Sequence, residues 1–232
     1  MNPTQGYTRE PWKAFEVRQR KLDSKREAVL KTAAHLFLEQ GYRRTSLSEL
    51  AKRLKITKPA LYYYFRNKEE ILVECYKTGI SKIEDGLDRA LAVGGTGLDK
   101  TRAYVEAYAM IIVSEDFGRC VAMLDDGELS PTARREVRRL KRHIDSSLRG
   151  YIEEGIADGS IAACNPKIAA FALAGAINWI GSWYSPEGEL SAQDIACQFA
   201  TLLSDGLRSR LCTPSTAAPR KRKLARELSV VQ

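Results

Sequence analysis

The stretch from Thr45 to Lys68, TSLSELAKRLKITKPALYYYFRNK, puts hydroxyls, cations and three consecutive tyrosines on two short helical segments. These groups suit a polyanion. Hydroxyls and the free N–H groups at a helix start can hold phosphate oxygens, and lysine can reach the acceptors of guanine. In a helix-turn-helix the second helix enters the major groove, so it must be slim, polar at its tip and cationic at its edges. Lys58, Pro59, Ala60, Tyr62, Tyr63 and Tyr64 meet that description.

The elements that would position these side chains follow from local chemistry. Ser46 precedes Leu47 with Glu49 three residues on, a capping-box signature. Leu47, Leu50, Ala51 and Leu54 recur at helical spacing, which predicts a first short helix over about 47–54. Thr57 is an N-cap candidate, and Pro59 falls in the first turn of the next helix, where its missing N–H costs little. That helix is predicted to start at Lys58. Leu61 and Phe65 are four apart and point back at Leu50 and Leu54, so Tyr63 and Tyr64 are expected to face outward.

With VLKTAAHLFLEQGY ahead of it and ALYYYFRNKEEIL closing it, the run from Val29 to Leu72 resembles the DNA-binding domain of the tetracycline-repressor (TetR) family. The resemblance rests on Phe37, Gly41, Tyr42, Ala51, Leu61, Tyr62, Phe65 and Lys68 together and covers about a fifth of the chain. It implies an all-α fold, with an N-terminal three-helix helix-turn-helix domain and a larger C-terminal helical domain for ligand binding and dimerisation. A first helix would cross the pair, with Val29, Leu30, Ala33, Leu36 and Phe37 on its core face. Carried over residue by residue, the resemblance implies phosphate contacts for Thr45, Tyr62 and Lys68 and places Lys58, Ala60, Tyr63 and Tyr64 near base edges. Ser46 and Pro59, at the two helix starts, complete the DNA-facing set. Tyr62 also suits a core position, since an amphipathic ring can serve both; Arg66 and Lys52 read as solvated charges. Lys55 departs from the family, which usually has glycine in the turn. The turn therefore either avoids a left-handed residue or carries modest strain.

Charge separates the 232-residue chain into parts. Residues 1–70 carry 16 Lys/Arg against 8 Asp/Glu, residues 71–207 carry 14 against 20, and residues 208–232 carry 7 against 1. Phosphate contacts release counterions, so the basic ends are where DNA would be held and the acidic middle should avoid it. No apolar run reaches the roughly 18 residues of a membrane span, and the N-terminus lacks the apolar core of a signal peptide. A cytoplasmic location without membrane contact is expected. Cys75, Cys120, Cys164, Cys197 and Cys212 are scattered and only two histidines are present, so no metal site, cofactor or disulfide framework is expected.

Four segments are expected. Residues 1–22 form a basic extension, read as solvated, with continuation of the first helix or a minor-groove arm as alternatives. Residues 23–68 form the helix-turn-helix domain, 69–211 the ligand-binding and dimerisation domain, and 212–232 a basic tail whose composition reads as disordered. Periodicity in the middle predicts helices over 68–91, 99–113, about 119–126 and 131–158. The last carries Arg134, Arg135, Arg138, Arg139 and Arg142 opposite Val137, Leu140, Ile144 and Leu148. That stripe reads as a solvated face, with an anionic ligand or DNA as the alternative.

Two apolar helices, from Pro166 and over 191–211, are rich in small residues and need a partner. In the family they pair into a four-helix bundle, which implies a homodimer. Its two reader helices, about 34–36 Å apart, would meet successive major grooves of a palindromic operator in double-stranded DNA. The candidate effector lining is Tyr104, Tyr108, Ile111, Met123, Leu124, Phe171, Asn178, Trp179 and Trp183. The NWIGSWY segment followed by Pro186-Glu187-Gly188 is similar to regulators of lipid and steroid breakdown. It implies a small hydrophobic or acyl-type effector such as a coenzyme A thioester. The leading function is a ligand-responsive repressor released from its operator by that effector; an activator, or a regulator controlled by a protein partner, is the alternative. An enzyme is not expected, since no Ser/His/Asp set or phosphate-cradling glycine loop is present.

Overall fold

A computed structural model describes residues 11–92 and 94–209. Among these, nine α-helices follow in order: α1 Pro11–Gln40, α2 Leu47–Arg53, α3 Lys58–Tyr62, α4 Lys68–Leu91, α5 Gly97–Ser114, α6 Asp116–Met123, α7 Pro131–Ala157, α8 Pro166–Trp183 and α9 Ala192–Leu207. A single 3-10 turn, Asp126–Glu128, precedes α7. The expectations for residues 1–10 and for the basic tail, including Cys212, lie outside the described residues.

Caps set many of the helix starts. The Ser46 hydroxyl accepts from the Glu49 amide at 3.1 Å and the Thr57 hydroxyl from the Ala60 amide at 3.3 Å, each satisfying an orphan donor of α2 or α3. Asn67 does the same for α4, accepting from the Glu70 amide at 2.8 Å. Between α2 and α3 the chain turns through Lys55 at φ 55°, the one non-glycine residue with positive φ among those described. The strained alternative is therefore the one adopted, in the region where a Cβ crowds its own carbonyl.

Several helix boundaries differ from expectation, among them that of α6, expected over about 119–126 and found at Asp116–Met123. Residues 11–22, expected as a solvated extension, belong to α1, which runs unbroken to Gln40. The recognition helix α3 is only five residues long, with Tyr63 already its C-cap. At the other end, α9 stops at Leu207 because Arg208 turns extended and bridges to Ile161, leaving Arg208 and Ser209 outside the helix.

One continuous core joins both halves. Val29, Leu30, Ala33, Leu36 and Phe37 of α1 close over Leu50, Leu61 and Phe65, then over Ile71 and Leu72 at the start of α4. Each such large apolar side chain contributes about 1.5–3 kcal/mol by leaving water. From there α4 runs into the larger domain, where it packs on α5, α6 and α7, while α5 also packs on α8 and α9. At the α5–α7 crossing Gly97 lies against Gly155: a Cβ on Gly97 would fall 2.0 Å from the Gly155 nitrogen. Only glycine allows that approach, and it anchors α7 beside α5 as one wall of a cavity. Among the described residues no helix is long and apolar enough to cross a membrane.

Candidate functional site

The reader end offers an exposed aromatic and cationic face. Tyr62 and Tyr63 are 47% and 66% exposed, and Lys58, Pro59 and Ala60 beside them are also open. Tyr64 corrects the expectation of an outward pair, because it is half-buried against the core. The Tyr63 ring meets its edge at 5.1 Å between centroids, 89° between planes. That contact steadies the exposed ring without covering it. Among the described residues Arg44, Lys52, Lys55, Lys58 and Arg66 carry no ion pair, whereas Arg53 pairs with Glu39 and Arg43 with Glu128.

Two residues expected to meet phosphate are turned to internal work. Thr45 is buried: its hydroxyl donates to the Gly41 carbonyl at 3.0 Å and accepts from Gln40 Nε2 at 3.3 Å. The Lys68 ammonium donates to the carbonyls of Tyr42 at 2.8 Å, Thr45 at 3.0 Å and Arg43 at 3.4 Å, and lies 4.2 Å above the Tyr42 ring. Its three protons are spent on the loop that enters α2, and burial lowers its pKa. Both residues hold the reader in shape. Ser46, by contrast, is exposed and uses its hydroxyl only as an acceptor, so the proton remains free to donate.

The larger domain holds a cavity of about 690 Å³ between α5, α6, α7 and α8. That is within the usual range of about 300–1,000 Å³ for small-molecule sites. Of the nine expected lining residues, Tyr104, Tyr108, Phe171 and Asn178 are in its wall. Tyr108 donates to Asn178 Oδ1 at 2.7 Å and meets Tyr104 edge-on at 5.9 Å. Burial raises the pKa of both phenols, which stay neutral donors. Ile111, Met123, Leu124, Trp179 and Trp183 lie elsewhere. Trp179 is 68% exposed because its side of α8 points out of the molecule, and Trp183 stacks on Phe199 of α9 at 6.3 Å.

The rest of the wall was not expected. Arg138, Lys141, Arg142, Arg149 and Lys167 face the cavity against one carboxylate, Asp145. The arginine stripe of α7 is thus divided: Arg135 and Arg139 are exposed and outside this wall, while Arg138 and Arg142 line it. Arg149 pairs with Asp145 and sits over the Phe171 ring at 5.3 Å. Lys141 sits over the Tyr76 ring at 4.6 Å, and burial lowers its pKa. Among the described residues Lys141, Arg142 and Lys167 have no carboxylate partner. Aromatic rings interleaved with cations, three of them without a carboxylate partner, suit a ligand with an apolar part and several negative charges.

Comparison with known proteins decides the family. The family model described as "Bacterial regulatory proteins, tetR family" matches residues 29–75, and the one described as "Tetracyclin repressor-like, C-terminal domain" matches residues 94–207. A solved TetR/AcrR-family regulator from Thermobifida fusca is 31% identical, with a TM-score of 0.60, covering 80% of this chain and 99% of that one. The chain belongs to the TetR family. It is a helix-turn-helix transcriptional regulator with a ligand-binding domain. The repressor KstR2 of Rhodococcus jostii is 28% identical over 195 residues, 80% of this chain and 92% of that protein. The fold is also that of AibR, solved in complex with isovaleryl coenzyme A and operator DNA: TM-score 0.70, 23% identity, 79% and 98% of the two chains.

Proposed function

We propose that this TetR-family regulator is a cytoplasmic homodimeric repressor that holds a palindromic operator and is released by a coenzyme A thioester. Residues 23–68 would read DNA and residues 69–211 would bind the effector and dimerise. The observation that carries the effector class is the cavity wall: five cations against one carboxylate, interleaved with Tyr104, Tyr108 and Phe171. Phosphates meet the cations and an acyl chain the rings. A neutral sterol would desolvate Lys141, Arg142 and Lys167 without giving them an anionic partner, which is costly. The AibR complex supports the same class of effector.

On the reader, Lys58, Pro59, Ala60 and Tyr63 would approach base edges, and Ser46 and Tyr62 would donate to phosphates. Arg44, Lys52 and Lys55 would add charge along the backbone. The dimer would form through α8 and α9, where Ile168, Trp179, Trp183 and Leu202 are exposed. Isolated large apolar residues are ordinary on a surface, but exposed apolar and small residues at positions 168, 172, 175, 179 and 183 make one stripe that another copy would cover.

The test is fluorescence anisotropy on DNA from the chain's own promoter, titrated with isovaleryl-coenzyme A, longer acyl-coenzyme A thioesters, free coenzyme A and the matching free acids. Release by thioesters alone is expected. Operator affinity untouched by every thioester would sink the effector assignment and favour control by a protein partner.

A further inference from the structure

Arg138 belongs to two structures at once. It lines the cavity, and its guanidinium also grips both carboxylate oxygens of Asp126, Nε at 3.2 Å and Nη2 at 3.1 Å. Asp126 opens the 3-10 turn that runs into α7. Arg134, in the first turn of α7, donates to three carbonyls of that segment, those of Asp126, Gly127 and Leu129, so the turn keeps its shape and pivots on the start of α7.

The far side of the same turn touches the reader. Glu128 accepts from Arg43 Nε at 2.9 Å, and Arg43 is in the loop that Lys68 clamps just ahead of α2. Two residues on, the Ser130 amide and hydroxyl both donate to Glu69 at the start of α4, at 2.5 and 3.0 Å. The docking is imperfect in one place. The second carboxylate oxygen of Glu128 is buried with no hydrogen-bond partner among the described residues. An unsatisfied buried oxygen penalises the docked arrangement, so the turn is held against a cost and needs its other anchors.

We infer that the Asp126–Glu128 turn is a latch between cavity and reader: an anionic effector that takes Arg138 displaces Asp126, the turn lifts Glu128 off Arg43, and the loop entering α2 is freed. The latch rests on the reading of the cavity as the effector site. Asp126 takes the Nε–Nη2 edge of the guanidinium, so a phosphate drawn to the remaining Nη1 edge sets two anions on one cation, and their repulsion loosens the hold on Asp126. The effector then binds the unlatched state better than the latched one, and that differential affinity is what drives the change. Arg134 keeps the turn folded while it moves, and the motion is a rigid step of an element that has two seats.

Two measurements on the full-length protein test it. Without any effector, Arg138→Gln should speed amide exchange at residues 43–46 and 126–130 by about tenfold, since local opening there loses an anchor. Asp126→Asn leaves every cavity cation in place and should do the same, which covers the case in which Arg138→Gln fails to fold. Exchange at 43–46 unchanged in a folded variant would overturn the latch, whatever the effector is. With isovaleryl-coenzyme A as probe, Glu128→Gln should bind it within about twofold of wild type while the effector-induced loss of operator affinity shrinks at least about fivefold. A wild-type response in Glu128→Gln would also overturn it. If the thioester does not bind the wild type, the effector assignment falls, and the exchange experiment still decides the latch.

Discussion

Burial of the Lys141 ammonium over the Tyr76 ring lowers its pKa, so the folded protein pays to keep it charged. For a lysine with a lowered folded pKa the unfolded state binds more protons between the two values, so stability rises with pH across that window. The penalty is fully present below the folded pKa, hence at neutral pH. Lys141→Met should therefore raise the melting temperature at pH 7, with the gain fading as pH climbs toward the unfolded lysine value. The same change should weaken thioester binding by about tenfold, the usual scale for losing a charge-assisted bond. Calorimetry and ligand titration check the two halves; a variant that binds as wild type would remove Lys141 from the effector site. Lys55 is the opposite case, an exposed lysine whose cost is backbone strain and not burial. Its φ of 55° costs about 1–2 kcal/mol for a residue with a Cβ. Lys55→Gly gains most of that and returns some as unfolded-chain entropy, for a net rise of about 2–4 °C in melting temperature. If Lys55 also meets DNA backbone, anisotropy will show a modest loss of operator affinity and a shallower salt dependence.

Helix α8 shows why some elements could be read from sequence and others could not. Its start at Pro166 and its apolar character are plain in the residues, as are the caps Ser46 and Thr57, because those depend on neighbours within four positions. Which face of α8 meets the cavity depends on where α5 and α7 lie, and no local pattern states that. Hence Phe171 and Asn178 face the cavity while Trp179, one position on, faces out. The same reason hid Lys141, Arg149 and Lys167. The only trace was the spacing of cations at 134, 138, 141, 142 and 149, which marks one side of α7 without saying what covers it. Thr45 and Lys68 were legible as important, yet their protons go to the backbone of the reader, a fact fixed only by the closure of the loop before α2. The outward face of α8 and α9 carries its own prediction. Trp179→Glu or Leu202→Glu places a charge on the most exposed apolar positions, 68% and 75% open, without touching the core. Either should yield a folded monomer by gel filtration with multi-angle scattering, because a charge buried across an interface without a partner costs several kcal/mol. A dimer of wild-type stability would place the interface elsewhere.

At the scale of the whole molecule the proposed operator and thioester are two polyanions on one protein, and there are two ways they can oppose each other. One is the field: residues 1–70 and the cavity wall are both cationic, so an effector that neutralises the cavity also weakens the pull on DNA at a distance. The other is mechanical, through α4, whose first residue clamps the reader loop and whose Tyr76 underlies the cavity cation Lys141. Salt tells them apart. Long-range attraction is screened beyond about 8–10 Å at physiological ionic strength, while a packed, hydrogen-bonded contact is not. Operator affinity itself should fall steeply between 50 and 200 mM KCl, by about 10³-fold or more if six to ten phosphates are contacted. The ratio of operator affinities without and with isovaleryl-coenzyme A should stay nearly constant over the same range. Linkage demands that saturating operator weaken the thioester by that same ratio, which calorimetry in both orders can measure. A ratio that collapses toward one as salt rises would make the effector an electrostatic competitor and leave the contact between Glu128 and Arg43 without a regulatory role.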